Sequence, residues 1–209
     1  NHLQPAARGE QALETTSGPL RTRLALRADA ERLVTMRDER GHTLCWRLEG
    51  ASGVPCTQKE LILQGDDEDD KRAHADKSIT RVQYCGIFPH TDLICELHGD
   101  RLKESFVLDS SDVPTQFRFM LNAQGLAWEQ TEDNGLRLWD TARPDEDVFR
   151  LPAPYMIDAA GLEGTVRTEW QTLNGNLCMT ITPDAAFLAE ARYPVIIDPT
   201  VQSTQTATN

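Results

Sequence analysis

The side chains best suited to hold a metal ion are the run Asp66-Asp67-Glu68-Asp69-Asp70 and the scattered histidines His42, His74, His90 and His98. Carboxylate oxygens are the hard ligands that calcium prefers. The run lacks the D-x-D-x-D-G spacing and distal Glu that wrap a loop around one ion, so it reads as a solvated loop. His90-x-Asp92 and His98-x-Asp100 each put two ligand types on one face of a strand, with no third ligand in sight. No two of these histidines have the i, i+4 spacing of a helical zinc site, and neither a metal nor another cofactor is expected.

Covalent chemistry finds as little support. There is no G-x-S-x-G elbow, and Ser110-Ser111 reads as an ordinary polar turn between strands. The five cysteines, Cys45, Cys56, Cys85, Cys95 and Cys178, include no C-x-x-C pair, which argues against a zinc ribbon or a thioredoxin-type motif. An odd number leaves at least one thiol unpaired. Cys45 with Cys56, and Cys85 with Cys95, are spaced to face each other across hairpins, either as disulfides or as small buried hydrophobes. With 33 carboxylates in the chain, some must fall within glycosidase distance of each other, so that proximity carries no information. Trp46, Trp128, Trp139, Trp170, Tyr84 and Tyr155 would stack on sugar rings if several lined one sheet face, and would fill the core otherwise. No residue is assigned a catalytic, cofactor-binding or metal-binding role.

The elements that must position these side chains are short strands. Leu20, Thr22, Leu24 and Leu26 alternate with Arg21, Arg23 and Arg27, the period-two signature of a strand with one buried face. Similar segments recur at 32–37, 42–48, 60–64, 80–85, 92–97 and 102–108, and then at 116–121, 125–130, 136–140, 148–151, 165–173, 177–182 and 195–198. Turn chemistry separates them, including Asp133-Asn134-Gly135 and Asn174-Gly175-Asn176. Thr182-Pro183-Asp184 before Ala185 to Ala191 predicts one short helix near 183–191, with a cap, a proline in the first turn and an acid facing the dipole. The class is therefore all-β, mainly antiparallel and sandwich-like. Residues 1–19 read as a tail or linker, 20–200 as a β-rich module in one piece or in two lobes joined near 65–77, and 201–209 as a C-terminal linker.

Composition bounds the partners. With 39% hydrophobic and 26% charged residues the chain has the make-up of a folded domain. Its 33 acidic against 21 basic side chains give a net charge of -12, which repels phosphate backbones and anionic lipid. Nucleic acid is not an expected partner. No apolar run approaches the roughly 20 residues that cross a bilayer, and Asn1 to Pro19 lacks a signal-peptide pattern. The chain, without an initial Met, reads as a piece of a longer polypeptide.

The most distinctive stretch is Tyr193-Pro-Val-Ile-Ile-Asp-Pro-Thr200. It resembles the Y-P-V-x-I-D-P-T segment of large bacterial proteins with DNRLRE domains and of their Rhs, YD-repeat and wall-associated relatives. Asp69 to Lys77, Phe88 to Leu93, Gly99 to Glu104 and Leu151 to Ala159 strengthen the likeness. The resemblance implies a β-module that precedes or links other domains, in an extracellular or cell-wall setting, and it implies no catalytic residue. The chain contains neither a DNRLRE signature nor a YD repeat. The expectation is a non-catalytic structural or interaction module of a secreted surface protein. Its partners are then other domains of the same polypeptide, with a surface glycan or protein as the outside candidate. The alternatives are a carbohydrate-binding module and a hydrolase or self-cleaving segment.

Overall fold

Alternation decides which face of each strand goes inward. On Leu20–Ala25 (β3) Leu20, Thr22 and Leu24 are buried while Arg21 is exposed, and on Val34–Asp38 (β4) Val34, Met36 and Asp38 are buried while Arg37 is exposed. Apolar area on one face drives both strands onto the same core. The structure, a computed structural model, describes residues 3–5, 12–15, 20–62, 78–98, 101–199 and 201–203. The expected junction at 65–77 and the acidic run 66–70 lie outside these residues.

Two sheets enclose the core. In the first, β3 and β4 form an antiparallel meander with Thr43–Leu48 (β5). β5 pairs with Phe117–Asn122 (β10), β10 with Asn176–Pro183 (β17), and β17 with the edge strand Val166–Leu173 (β16). Ala12–Thr15 (β2) and Leu3–Pro5 (β1) extend the other edge, giving eight strands. These two strands correct the reading of 1–19 as a tail. Leu13 lies opposite Leu24, and both Leu3 and Leu13 are buried, but segments of three and four residues are too short to show a period.

The second sheet has eleven strands. Cys56–Ile62 (β6), Ser78–Phe88 (β7), Thr91–His98 (β8) and Arg101–Leu108 (β9) form an antiparallel meander. The free edge of β9 receives two successive segments, Val195–Asp198 (β18) beside Phe106 to Leu108 and Val201–Ser203 (β19) beside Arg101 and Leu102. From β18 the sheet continues to Tyr155–Ile157 (β14) and Glu163–Gly164 (β15). From β19 it continues to Asp147–Leu151 (β13), Leu136–Asp140 (β12) and Leu126–Gln130 (β11). The Asp198-Pro199 break therefore lies at the middle of a sheet, and 201–203, read as linker, is strand with Val201 buried.

Phe106 of the second sheet stacks on Phe117 of the first at 4.6 Å between centroids and tilts against Phe119 at 5.6 Å. One hydrophobic cluster includes Leu24 and Trp46 from before the acidic run and Phe106 and Ile197 from after it. Among the described residues the two sides share a single core rather than forming lobes.

The fold class is as read: all-β, mostly antiparallel, with one short helix among the described residues, Ala185–Glu190 (α1). Its cap is Asp184, whose carboxylate accepts from the Ala186 amide at 2.9 Å, whereas Thr182 and Pro183 finish β17. Leu188 is buried beneath the helix. Asn174-Gly175, both at positive φ (52° and 79°), make the two-residue turn between β16 and β17 that this dipeptide favours.

Candidate functional site

The cysteines do not pair. All five are free. Cys45 belongs to the first sheet and Cys56 to the second. Cys95 faces inward opposite Val82, while Cys85 lies exposed where the β7–β8 register shifts. Burial raises the pKa of the Cys45 and Cys56 thiols and pushes that of Cys95 well up. A thiol held protonated is a poor nucleophile.

The histidines do not converge. His90 Nδ1 meets Asp109 Oδ1 at 2.7 Å, and Asp92 instead accepts from the Gly86 amide at 2.8 Å and from Gln83 at 2.9 Å. His74, the His98 side chain and Asp100 lie outside what is described. Among the described residues no three His, Cys, Asp or Glu side chains are placed to hold a metal ion. Ser110 Oγ accepts from the Asp112 amide at 3.1 Å, a local turn.

The aromatics are also dispersed. Trp46 and Tyr84 are core residues, Trp139 lies under the Arg137 guanidinium at 4.5 Å, and Trp170 Nε1 donates to the Asn134 carbonyl at 3.3 Å. Trp128 and Tyr155 are exposed on β11 and β14, strands near opposite ends of the second sheet.

His42 joins the two sheets instead. Its Nδ1 is 2.7 Å from Asp38 Oδ2 at the end of β4, and its Nε2 is 3.3 Å from Asp140 Oδ2 at the end of β12. Asp38 Oδ1 also accepts from the His42 amide at 2.8 Å, which fixes the β4–β5 turn. Burial alone would lower the His42 pKa, but the two carboxylates outweigh it and the net shift is upward. Beside this bridge Arg40 reaches Glu146 at 2.7 Å, a second link between the same two turns.

Three further carboxylates, Asp158, Asp198 and Glu104, are similarly engaged. Asp158 accepts from the amides of Ala160, Leu162 and Arg192 at 2.8, 2.9 and 3.0 Å. Those bonds, with Arg192 first, hold its pKa below the usual carboxylate value. Asp198 accepts from the Tyr155 hydroxyl at 2.9 Å and lies 3.4 Å from Lys103 Nζ. Glu104 points into the interior, where Trp46 Nε1 donates to it at 3.1 Å. Burial raises its pKa to about 8 against the opposing effect of that hydrogen bond, with Asp198 adding to the rise.

The outward face of the eight-stranded sheet has a different character. Register places Arg21 directly opposite Arg37, Arg47 opposite Met120, Arg118 opposite Thr180 and Arg167 opposite Thr182, all on one face. The carboxylates on the outward face of these strands are Glu14 and Glu169, the latter 3.5 Å from Arg167. Glu31 and Glu49 approach from flanking turns to pair with Arg47 and Arg118 at 3.3 Å each. Arg21 and Arg37 have no carboxylate partner among the described residues. With Arg40 they line a shallow hollow of about 490 Å³ that Asp38, Glu39 and Gly41 complete. Alternation of Arg21 and Arg23 is visible in the sequence, but alignment with arginines up to 146 residues away needs the strand order. No family model, curated protein or solved structure matches this chain.

Proposed function

We propose that the chain is a non-catalytic structural and interaction module of a large secreted bacterial surface protein, holding or spacing the domains beside it. The observation that carries this reading is the use made of the buried polar groups. Asp158 knots the 158–162 turn to Arg192, the His42 bridge ties a turn of one sheet to a strand end of the other, and Glu104 meets Trp46 across the core. Each carboxylate is committed to holding elements together, which is the pattern of a spacer built for rigidity. Resemblance of the Tyr193 to Thr200 segment to wall-associated proteins supplies the setting.

The exposed thiol of Cys85 gives a direct test of that setting. On intact cells that make the parent polypeptide, a membrane-impermeant maleimide should label Cys85, and Cys85→Ser should abolish the signal. Labelling that appears only after lysis would remove the surface assignment. Turnover of an ester, peptide or glycoside substrate by the purified chain, or its cleavage at a fixed bond, would remove the non-catalytic one.

A further inference from the structure

We infer that the outward face of the eight-stranded sheet binds a linear acidic polysaccharide, its carboxylates engaged by a diagonal stripe of arginines that starts in the hollow at Arg21, Arg37 and Arg40. This deepens the module reading and rests on it. Four observations support the assignment.

First, the stripe runs against the charge of the whole molecule. The chain has a net charge of -12, yet Arg21, Arg37, Arg47, Arg118 and Arg167 share one face, with every step after Arg37 displaced in the same direction along the strands. With strands about 4.8 Å apart and about 3.3 Å per residue, the steps from Arg37 to Arg47, Arg118 and Arg167 are about 14, 8 and 12 Å. A field so placed attracts an anionic polymer to one face and repels it elsewhere.

Second, Arg21 and Arg37 are unfavourable for folding alone. Like charges directly opposite on neighbouring strands destabilise a sheet, and no carboxylate among the described residues relieves them. A guanidinium pair flanking a hollow, with free donor edges, matches an incoming carboxylate in two-pronged geometry. Asp38, though it lines the same hollow, is bound to His42 and its amide. Glu39, and Glu146 where it meets Arg40, are the acids there that the ligand must avoid.

Third, the pairs farther along the stripe are exchangeable. Glu31, which meets Arg47, is 90% exposed, and Arg118 and Glu49 are both about half exposed. Exposed ion pairs of this kind contribute little, so a ligand carboxylate can replace them.

Fourth, the spacing selects the polymer. Duplex nucleic acid carries a charge every ~1.7 Å of axis and single strands are held by stacked aromatics. The stripe is sparser than the former, and the intervening positions Thr35, Thr43, Met120 and Thr180 offer no aromatic ring. Hydroxyl and amide side chains such as Thr43 and Asn122 suit sugar hydroxyls.

The experiment is binding of the full chain to immobilised polygalacturonate at low and at physiological (about 0.15 M) ionic strength. Saturable binding that weakens with salt is expected. The double variant Arg21→Gln/Arg37→Gln should weaken it about tenfold or more, the loss of one or two charge-assisted contacts. Arg101→Gln/Arg150→Gln, which removes the same charge from exposed positions of the other sheet, should leave it unchanged. A melting curve checks that each variant folds, and Arg118→Gln provides a second reading on the same face. Absence of binding at low salt, equal loss in the two double variants, or stronger competition by oligo(dT) than by free oligogalacturonate would each overturn the inference. None of these outcomes bears on surface labelling at Cys85, so failure here stays separate from failure of the module reading.

Discussion

Trp46 of one sheet donates its indole N–H to Glu104 of the other at 3.1 Å, inside the core that both sheets enclose. A carboxyl in that position is easier to bury neutral than charged, and its pKa rises from 4.5 to about 8. The folded chain therefore holds a proton that the unfolded chain releases, and stability must fall as pH rises from about 4.5 to about 8 before levelling off. Glu104→Gln keeps an oxygen for Trp46 and removes the titration. Urea unfolding should show the variant gaining on the parent by roughly a few kcal/mol between about pH 5 and about pH 9. Parallel curves for the two proteins would show that Glu104 is not held protonated.

His42 contributes to the same slope for a different reason. With its pKa raised by Asp38 and Asp140, the stabilisation it provides is fully present below the unfolded value near 6.5 and is lost as pH climbs through the folded one. His42→Gln should cost about 1 kcal/mol near pH 6 and less near pH 9, given the partial exposure of the ring. If the deficit grows with pH, the imidazolium is not the form that bridges the sheets.

Arg37 offers the opposite expectation, a surface change that stabilises. Arg37→Glu turns a repulsive cross-strand pair with Arg21 into an attractive one and should raise stability by about 0.2–1 kcal/mol. It should also abolish polygalacturonate binding at the hollow, since it places a carboxylate where one is to be received. A melting point that drops would indicate that Arg37 has a folding role that its neighbours do not reveal.

What could be read in the sequence depended on range. The strand from Leu20 was legible because its alternation is local, and so was Asn174-Gly175, because that dipeptide carries its own turn preference. The helix was legible but its cap was not: Thr182 and Asp184 are both good capping residues, and pairing of Thr182 with Arg167 in the sheet decided between them. The disulfide reading of Cys85 and Cys95 failed because the β7–β8 register pairs Cys95 with Val82 and Tyr84 with Leu93, a register that no spacing rule reports. The His42 bridge joins one residue four positions away to another 98 positions away, and only the second sheet brings Asp140 within reach. The arginine stripe is of the same kind, because β5 pairs with β10 and β17 with β16 across long stretches of chain.

The segment from Tyr193 to Thr200 yields the sharpest contrast between neighbouring positions. β18 lies between β9 and β14, so one of its faces looks into the core and the other outward. Val195 and Ile197 are fully buried, whereas Ile196 is half-buried on the outer face opposite Val107. Deleting three carbons at Ile197 leaves a cavity beside Phe106 as well as losing transfer energy, so Ile197→Ala should cost about 2–5 kcal/mol. The identical change at Ile196 opens no closed cavity, because solvent and neighbouring side chains fill the space, and it should cost about 1 kcal/mol or less. Chemical denaturation of the two variants side by side measures the difference with chemistry, strand and propensity held constant. Equal costs would mean that β18 does not present alternate faces to core and solvent, and the pairing of β9 with β18 at the centre of the second sheet would have to be redrawn.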